Sequence, residues 1–171
     1  MKIFLIGYMG SGKTGTGKEL SKILKYDFTD TDELVEKKTG KSIREIFETA
    51  GQDTFRSMES EALRRLRDKS KVVIATGGGL PVFNGNMQWM NEHGITVYLE
   101  ANAGLLFHRL AASKKDRPLI SGLHEVELME QISGHLAVRI PIYREADLTV
   151  PAADMDVKQL AAKIRALKKK F

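Results

Sequence analysis

The sequence predicts an α/β protein: a parallel sheet with helices packed on both of its faces. Short apolar runs recur along the chain, and segments with helical periodicity separate them. That alternation is the pattern of crossovers that lay parallel strands side by side. The first run also leads directly into Gly7-Tyr8-Met9-Gly10-Ser11-Gly12-Lys13-Thr14, which fits G-x-x-x-x-G-K-[ST] without a mismatch. That motif needs a strand before it and a helix after it. The 171 residues, 42% apolar and 29% charged, suit one domain with a proper core, spanning 1–171.

The elements follow in order. Residues 3–6 form the first strand, ending at Gly7, and residues 13–24 the first helix. A short second strand ends at Asp30. Helices over 33–39 and 43–50 come next, with Gly40 and Gly51 placed just past their C-termini. Ser42-x-x-Glu45 is a capping box. A longer helix spans 54–68, and residues 72–75 form the third strand, followed by Thr76-Gly77-Gly78-Gly79. A helix over 86–92, a strand over 96–99 and a helix over 103–112 complete the middle of the chain. Residues 113–123, with four charges and a proline, are the least regular stretch and are expected to form a mobile lid. A helix over 125–145 contains Pro141, which predicts a kink or break that aims Arg139 inward. The last strand covers 147–150. The last helix covers 157–169, with Val157, Leu160, Ala161, Ile164 and Leu167 on one packing face.

Composition removes several function classes. There is no cysteine, hence no disulfide framework and no thiolate metal site. The N-terminal apolar run is too short for a signal segment or a membrane span, so a cytoplasmic address and no membrane partner are expected. Net charge is +5, from 27 basic and 22 acidic residues. Part of it is Lys168-Lys169-Lys170, which complements a helix C-terminus. The remainder is a solvated basic surface, or a field that draws in small anions. No basic stripe interleaved with aromatics is present, so no nucleic-acid partner is expected. Nothing signals oligomerisation, and a monomer is expected.

The phosphate-cradling loop carries the chemistry. Backbone N–H groups of Gly10, Ser11, Gly12, Lys13, Thr14 and Gly15 would face a bound polyphosphate at the helix N-terminus. Lys13 would reach the β- and γ-phosphates, and the Thr14 hydroxyl would ligate Mg²⁺. A rival pattern overlaps it. Gly10, Gly12 and Gly15 spell G-x-G-x-x-G, with Asp30 and Asp32 roughly 20 residues on, as a dinucleotide site requires. That reading leaves the Lys13-Thr14 pair unexplained.

Asp30 and Asp32, two residues apart in extended chain, would present both carboxylates on one side of the strand end. One would assist Mg²⁺ and the other accept a proton from a hydroxyl, unless Asp32 or Thr31 merely caps the next helix. Arg56, either an ordinary surface residue or a clamp for a carboxylate, has Glu59 three residues on to hold it. Gly77, Gly78 and Gly79 imply either a tight turn or close backbone approach to a ligand with free N–H donors. The strand before them lacks the acid that often shares Mg²⁺ duty, so that duty falls to Thr14 and Asp30. Arg117, in the lid, could swing over a transferring phosphoryl group. His93, His108, His124 and His135 show no paired spacing and read as ordinary; Trp89 reads as core or surface.

Taken together, the ordered set resembles the shikimate kinase family. It runs Gly7 to Thr14, Asp30-Thr31-Asp32, Thr39-Gly40-Lys41-Ser42-Ile43, Phe55-Arg56 with Glu59, Gly77-Gly78-Gly79, Arg117-Pro118-Leu119, and Arg139-x-Pro141-x-Tyr143. The order and spacing match across nearly the whole chain. The resemblance implies a P-loop NTPase fold like that of nucleoside monophosphate kinases. Its sheet would have five parallel strands, with a substrate-binding region at about 31–60 and a lid at about 113–123. The reaction implied is transfer of the γ-phosphoryl group of ATP, with Mg²⁺, to the 3-hydroxyl of shikimate in chorismate and aromatic amino-acid biosynthesis. By position, Asp32, Arg56, Gly77, Gly78, Gly79 and Arg139 would bind shikimate, Asp32 serving also as base. Arg56 and Arg139 would clamp its carboxylate, Lys13 and Arg117 would stabilise the phosphoryl group, and Arg109 would contact adenine. One departure is Gly51-Gln52, where the family often has Gly-Glu. The length of 110–116 also varies in the family, which bears on Arg109.

Other readings share parts of this pattern. A nucleoside monophosphate kinase or a gluconate-type sugar-acid kinase would have the same loop and lid arginine. The Asp-x-Asp, Phe-Arg and Arg-x-Pro-x-Tyr elements favour a polyol carboxylate acceptor. An NAD-dependent enzyme and a non-catalytic ATP-binding module are the rivals from other classes.

Overall fold

The strands β1 (Lys2–Ile6), β2 (Asp27–Asp30), β3 (Val72–Ala75), β4 (Ile95–Glu100) and β5 (Leu148–Pro151) run parallel in one sheet. Their spatial order is β2-β3-β1-β4-β5. The structure is a computed structural model that describes residues 1–113, 118–120 and 122–167. Residues 114–117 and 121 of the expected lid, Arg117 among them, and Lys168-Lys169-Lys170 lie outside the described residues.

Alternation along β1 explains the two-sided core. Ile3 and Leu5 point into one layer with Leu20, Leu106, Ile132 and Leu160. Phe4 and Ile6 point into the other with Leu63, Ile74, Met90 and Tyr143. All four side chains are fully buried, as a strand covered on both faces requires. The first layer is filled from α1 (Lys13–Leu24), α5 (Ala103–Ala111), α6 (Glu125–Tyr143) and α7 (Val157–Ala166). The second is filled from α3 (Ile43–Arg64), α4 (Asn86–His93) and the end of α6. A smaller cluster of Val35, Ile46, Phe55 and Ala62 joins α2 (Thr31–Thr39) to α3.

β1 lies at the centre, flanked by β3 and β4, so the chain winds both ways from it. The loop after β1 therefore opens at the sheet's switch point, beyond the C-terminal strand ends, where such sheets bind ligands.

Element boundaries agree with the sequence apart from a few physical details. The two helices expected over 43–50 and 54–68 abut as α3, which ends at Arg64. Gly51, at φ 80° and ψ 171°, breaks the helical path between them in a conformation that favours glycine. The Ser42–Glu45 capping box is formed, and Gly40 takes the left-handed conformation past α2. Two expectations change. The N-cap of α2 is Asp30, whose carboxylate accepts from Asp32 N at 3.0 Å. Asp32 thus sits in a helical first turn, and the extended-chain argument for its direction does not hold. α6 also runs through Pro141 to Tyr143. Arg139 turns inward by helical phase, sharing a buried face with Leu128, Ile132, Leu136 and Tyr143, and no break at Pro141 is needed.

Candidate active site

A cavity of about 460 Å³ opens at the C-terminal end of the sheet. Thr14, Asp30, Asp32, Arg56, Gly77, Gly78, Gly79 and Arg139, drawn from six segments of the chain, all line it. Met9, Phe47 and Phe55 supply an apolar wall, and Pro118 and Leu119 bound it from the lid side.

At the loop, Lys13 is buried, and its ammonium donates to Gly7 O and Tyr8 O, both at 2.8 Å. The next hydroxyl, Thr14 Oγ1, donates to Asp30 Oδ2 at 2.9 Å. Gly10 and Gly12 have φ of 84° and 94°, which keeps the loop wrapped around its own centre. Arg109 reaches this loop from α5, donating to Gly10 O at 3.2 Å and to Ala152 O at 3.1 Å. It therefore flanks the phosphate loop and stands outside the main cavity wall.

Behind the cavity lies a buried charge cluster. Arg56 Nη1 donates to Glu59 Oε2, and both side chains are buried. The Asp32 carboxylate lies beside Glu59, both facing Gly77. Burial pushes the Glu59 carboxyl up to about 8; Arg56 pulls against that shift and the Asp32 carboxylate adds to it. Glu59 thus holds Arg56 with one oxygen and meets Asp32 with the other side of its carboxyl. The expected Glu59–Arg56 contact is present, and Asp32 is its third member.

The glycine triplet has a different reason from the one expected. A methyl group on Gly77 would overlap Glu59 Oε1, and one on Gly79 would overlap the Arg56 guanidinium. The Gly77 N–H is itself donated to Thr31 Oγ1 at 2.9 Å, so it is not a free donor. These glycines make room chiefly for the protein's own charged side chains. Gly78 is held from its carbonyl, which accepts from the Tyr143 hydroxyl. Burial drives the Tyr143 hydroxyl up to about 12, with Arg139 drawing it down. Arg139 itself is buried, and its Nη1 has no hydrogen-bond partner among the described residues. An unpaired buried guanidinium nitrogen facing a cavity is suited to an anionic ligand group.

Two residues read as ordinary or passed over lie behind this wall, against Arg139. The Tyr8 hydroxyl is 2.9 Å from His135 Nδ1, and the Arg139 guanidinium lies over the Tyr8 ring at 5.3 Å. The signal available in sequence was the four-residue step from His135 to Arg139, which puts both on one helix face.

Three predictions arise here. Gly79→Ala should destabilise by about 1–3 kcal/mol through overpacking. Gly134→Ala on the exposed face of α6, where a methyl meets nothing within 4 Å, should be neutral or stabilise by about 0.5–1 kcal/mol. Calorimetric Tm values for the pair would test both, and equal shifts would contradict the packing argument. The third concerns pH. The folded chain keeps the Glu59 proton up to about 8, whereas an ordinary glutamate releases it near 4.5. Between those values the unfolded state binds fewer protons, so this group's contribution to stability falls as pH rises. Subtracting the Glu59→Gln stability profile from the wild-type profile should leave a difference that declines from pH 5 to 8. A flat difference would mean that Glu59 is not raised.

A sequence model of the shikimate kinase family matches residues 9–168. A shikimate kinase of Phocaeicola vulgatus is 38% identical over 171 residues, covering 99% of this chain and 98% of that protein. A crystal structure of shikimate kinase from Bacteroides thetaiotaomicron superposes with a TM-score of 0.88 at 36% identity, covering 96% of each chain. Shikimate kinase from Acinetobacter baumannii in complex with shikimate gives a TM-score of 0.84 at 35% identity. It covers 96% of this chain and 90% of that one.

Proposed function

This chain belongs to the shikimate kinase family, and from that premise we propose how its own residues divide the work. The family transfers the γ-phosphoryl group of ATP to the 3-hydroxyl of shikimate, giving ADP and shikimate 3-phosphate on the route to chorismate and the aromatic amino acids. This chain is an ATP-dependent kinase of that kind, with a P-loop fold.

The observation that carries the assignment of roles is the meeting of Asp32, Arg56 and Arg139 around one cavity beside the phosphate loop. Arg56 and Arg139 clamp the shikimate carboxylate, each offering planar donors to planar acceptors. Asp32 accepts hydrogen bonds from the ring hydroxyls and takes the proton of the attacking one. Gly77, Gly78 and Gly79 form the cavity floor. Gly10, Ser11, Gly12, Lys13, Thr14 and Gly15 cradle the phosphates, and Lys13 exchanges its loop carbonyls for phosphate oxygens. Arg109 flanks the nucleotide, and Arg117 from the lid adds charge to the transferring group. The functional unit is one domain over 1–171, with the acceptor region at about 31–60 and the lid at about 113–123.

Thr14 and Asp30 fit Mg²⁺, since a hydroxyl and a carboxylate oxygen 2.9 Å apart present hard donors at the loop. Among the described residues no group of three or more His, Cys, Asp or Glu side chains could hold an ion alone. The other ligands would be phosphate oxygens and water, and the ion when bound neutralises charge on the phosphates. No helix of the described residues is long and apolar enough to cross a membrane. We place the enzyme in the cytoplasm as a monomer without a nucleic-acid partner.

The decisive test is ADP release with MgATP, comparing shikimate with gluconate, CMP and AMP. Turnover with shikimate alone is expected. Activity with gluconate in its place would discard shikimate as the acceptor, and activity with CMP or AMP in its place would discard the carboxylate clamp as well.

A further inference from the structure

We propose that His135 is a positioning residue of the acceptor site, which takes up a proton from solvent as the acceptor carboxylate arrives and so tightens binding as pH falls. The inference rests on the assignment of Arg56 and Arg139 as the carboxylate clamp.

The geometry is a relay across three elements. His135 Nδ1 meets the Tyr8 hydroxyl at 2.9 Å, and the two rings are 5.9 Å apart. Tyr8 belongs to the phosphate loop and is almost fully buried. Its other neighbour is the Arg139 guanidinium, over its ring at 5.3 Å. Arg139 in turn sits one helical turn beyond His135 on α6. The charged or titratable groups acting on His135 are thus Tyr8 from the loop, Arg139 from its own helix and Arg56 from α3.

In the free protein, burial and the positive charges of Arg139 and Arg56 hold the imidazole below its usual range. A carboxylate between those two arginines offsets the charge that opposes protonation, so the imidazole gains a proton more readily in the complex. The Tyr8 contact survives the change. The phenol donates to Nδ1 of the neutral ring and can accept from Nδ1–H of the imidazolium, while the other ring nitrogen carries the second proton. Linkage then requires the converse: a bound state that holds more protons binds its ligand more tightly at lower pH.

The experiment is a titration of the imidazole C–H resonances of the full chain by NMR, without ligand and saturated with shikimate. His135→Gln assigns the signal, because glutamine keeps hydrogen-bonding capacity and cannot titrate. The expected result is a rise of His135's pKa of about half to one unit on saturation. That corresponds to about three- to tenfold tighter shikimate binding at the acid end relative to His135→Gln. The wild-type to variant ratio isolates this group from Glu59, which both proteins retain. An unchanged His135 titration in the saturated protein would overturn the inference. Saturable binding that is insensitive to Arg139→Ala would instead overturn the clamp reading beneath it. Tyr8→Phe supplies a further arm: it removes the phenol while leaving His135 able to titrate, so the pH-linked tightening should persist. Its loss there would move the origin of the linkage from His135 to Tyr8.

Discussion

Replacing Lys13 with alanine is expected to lower kcat by about 10²- to 10³-fold, with a smaller effect on the KM for shikimate. The ammonium is buried against Gly7 O and Tyr8 O, inside the loop that follows the central strand. Developing charge on the transferring phosphoryl group would meet a cation that is already oriented and largely stripped of water. A donor of that kind contributes more in the transition state than in the ground state, and so it acts on kcat. Steady-state rates with saturating MgATP and shikimate measure it. A kcat within about threefold of the wild type would remove Lys13 from the phosphoryl-transfer role.

Arg56→Ala should raise the KM for shikimate by about 30- to 150-fold, the worth of a charge-assisted contact of about 2–3 kcal/mol. The KM for ATP should change far less. Removing Arg56 leaves Glu59 buried without its cation, which would ordinarily be severe. Because Glu59 is pushed up to about 8, it is largely protonated near pH 7, and the fold should tolerate the substitution. Arg56→Lys keeps the charge but loses the planar fork, so it should recover only part of the affinity. Equal rises in both Michaelis constants would argue against the carboxylate clamp.

Much of this molecule is legible in its sequence. The phosphate loop could be read because its function depends on local backbone geometry, and local geometry is encoded by contiguous residues. The same holds for the Ser42–Glu45 box and for Gly40 and Gly51, each of which answers a local demand on the chain. The alternation of apolar runs with helical segments likewise contained the sheet, since covering both faces of a strand demands it.

Other features needed the third dimension. The direction of Asp32 depends on Asp30 capping α2, which converts an expected strand end into a helical turn. The reason for Gly77 and Gly79 lies in side chains about 20 positions earlier, brought against them when α3 packs beside the loop after β3. Glu59's raised pKa exists only because folding buries it between Arg56 and Asp32. His135, unremarkable as one of four scattered histidines, comes to lie behind the site because α6 lays it against Tyr8, whose ring meets Arg139.

The sequence by itself determined the parallel sheet, the phosphate loop and the set of charged residues that a polyol carboxylate calls for, because patterning and short-range geometry act along the chain. Tertiary structure alone decided which of those charges face one another, and hence which are buried, held or shifted in pKa. Electrostatic interactions depend on distance and burial, and neither is fixed until the elements pack.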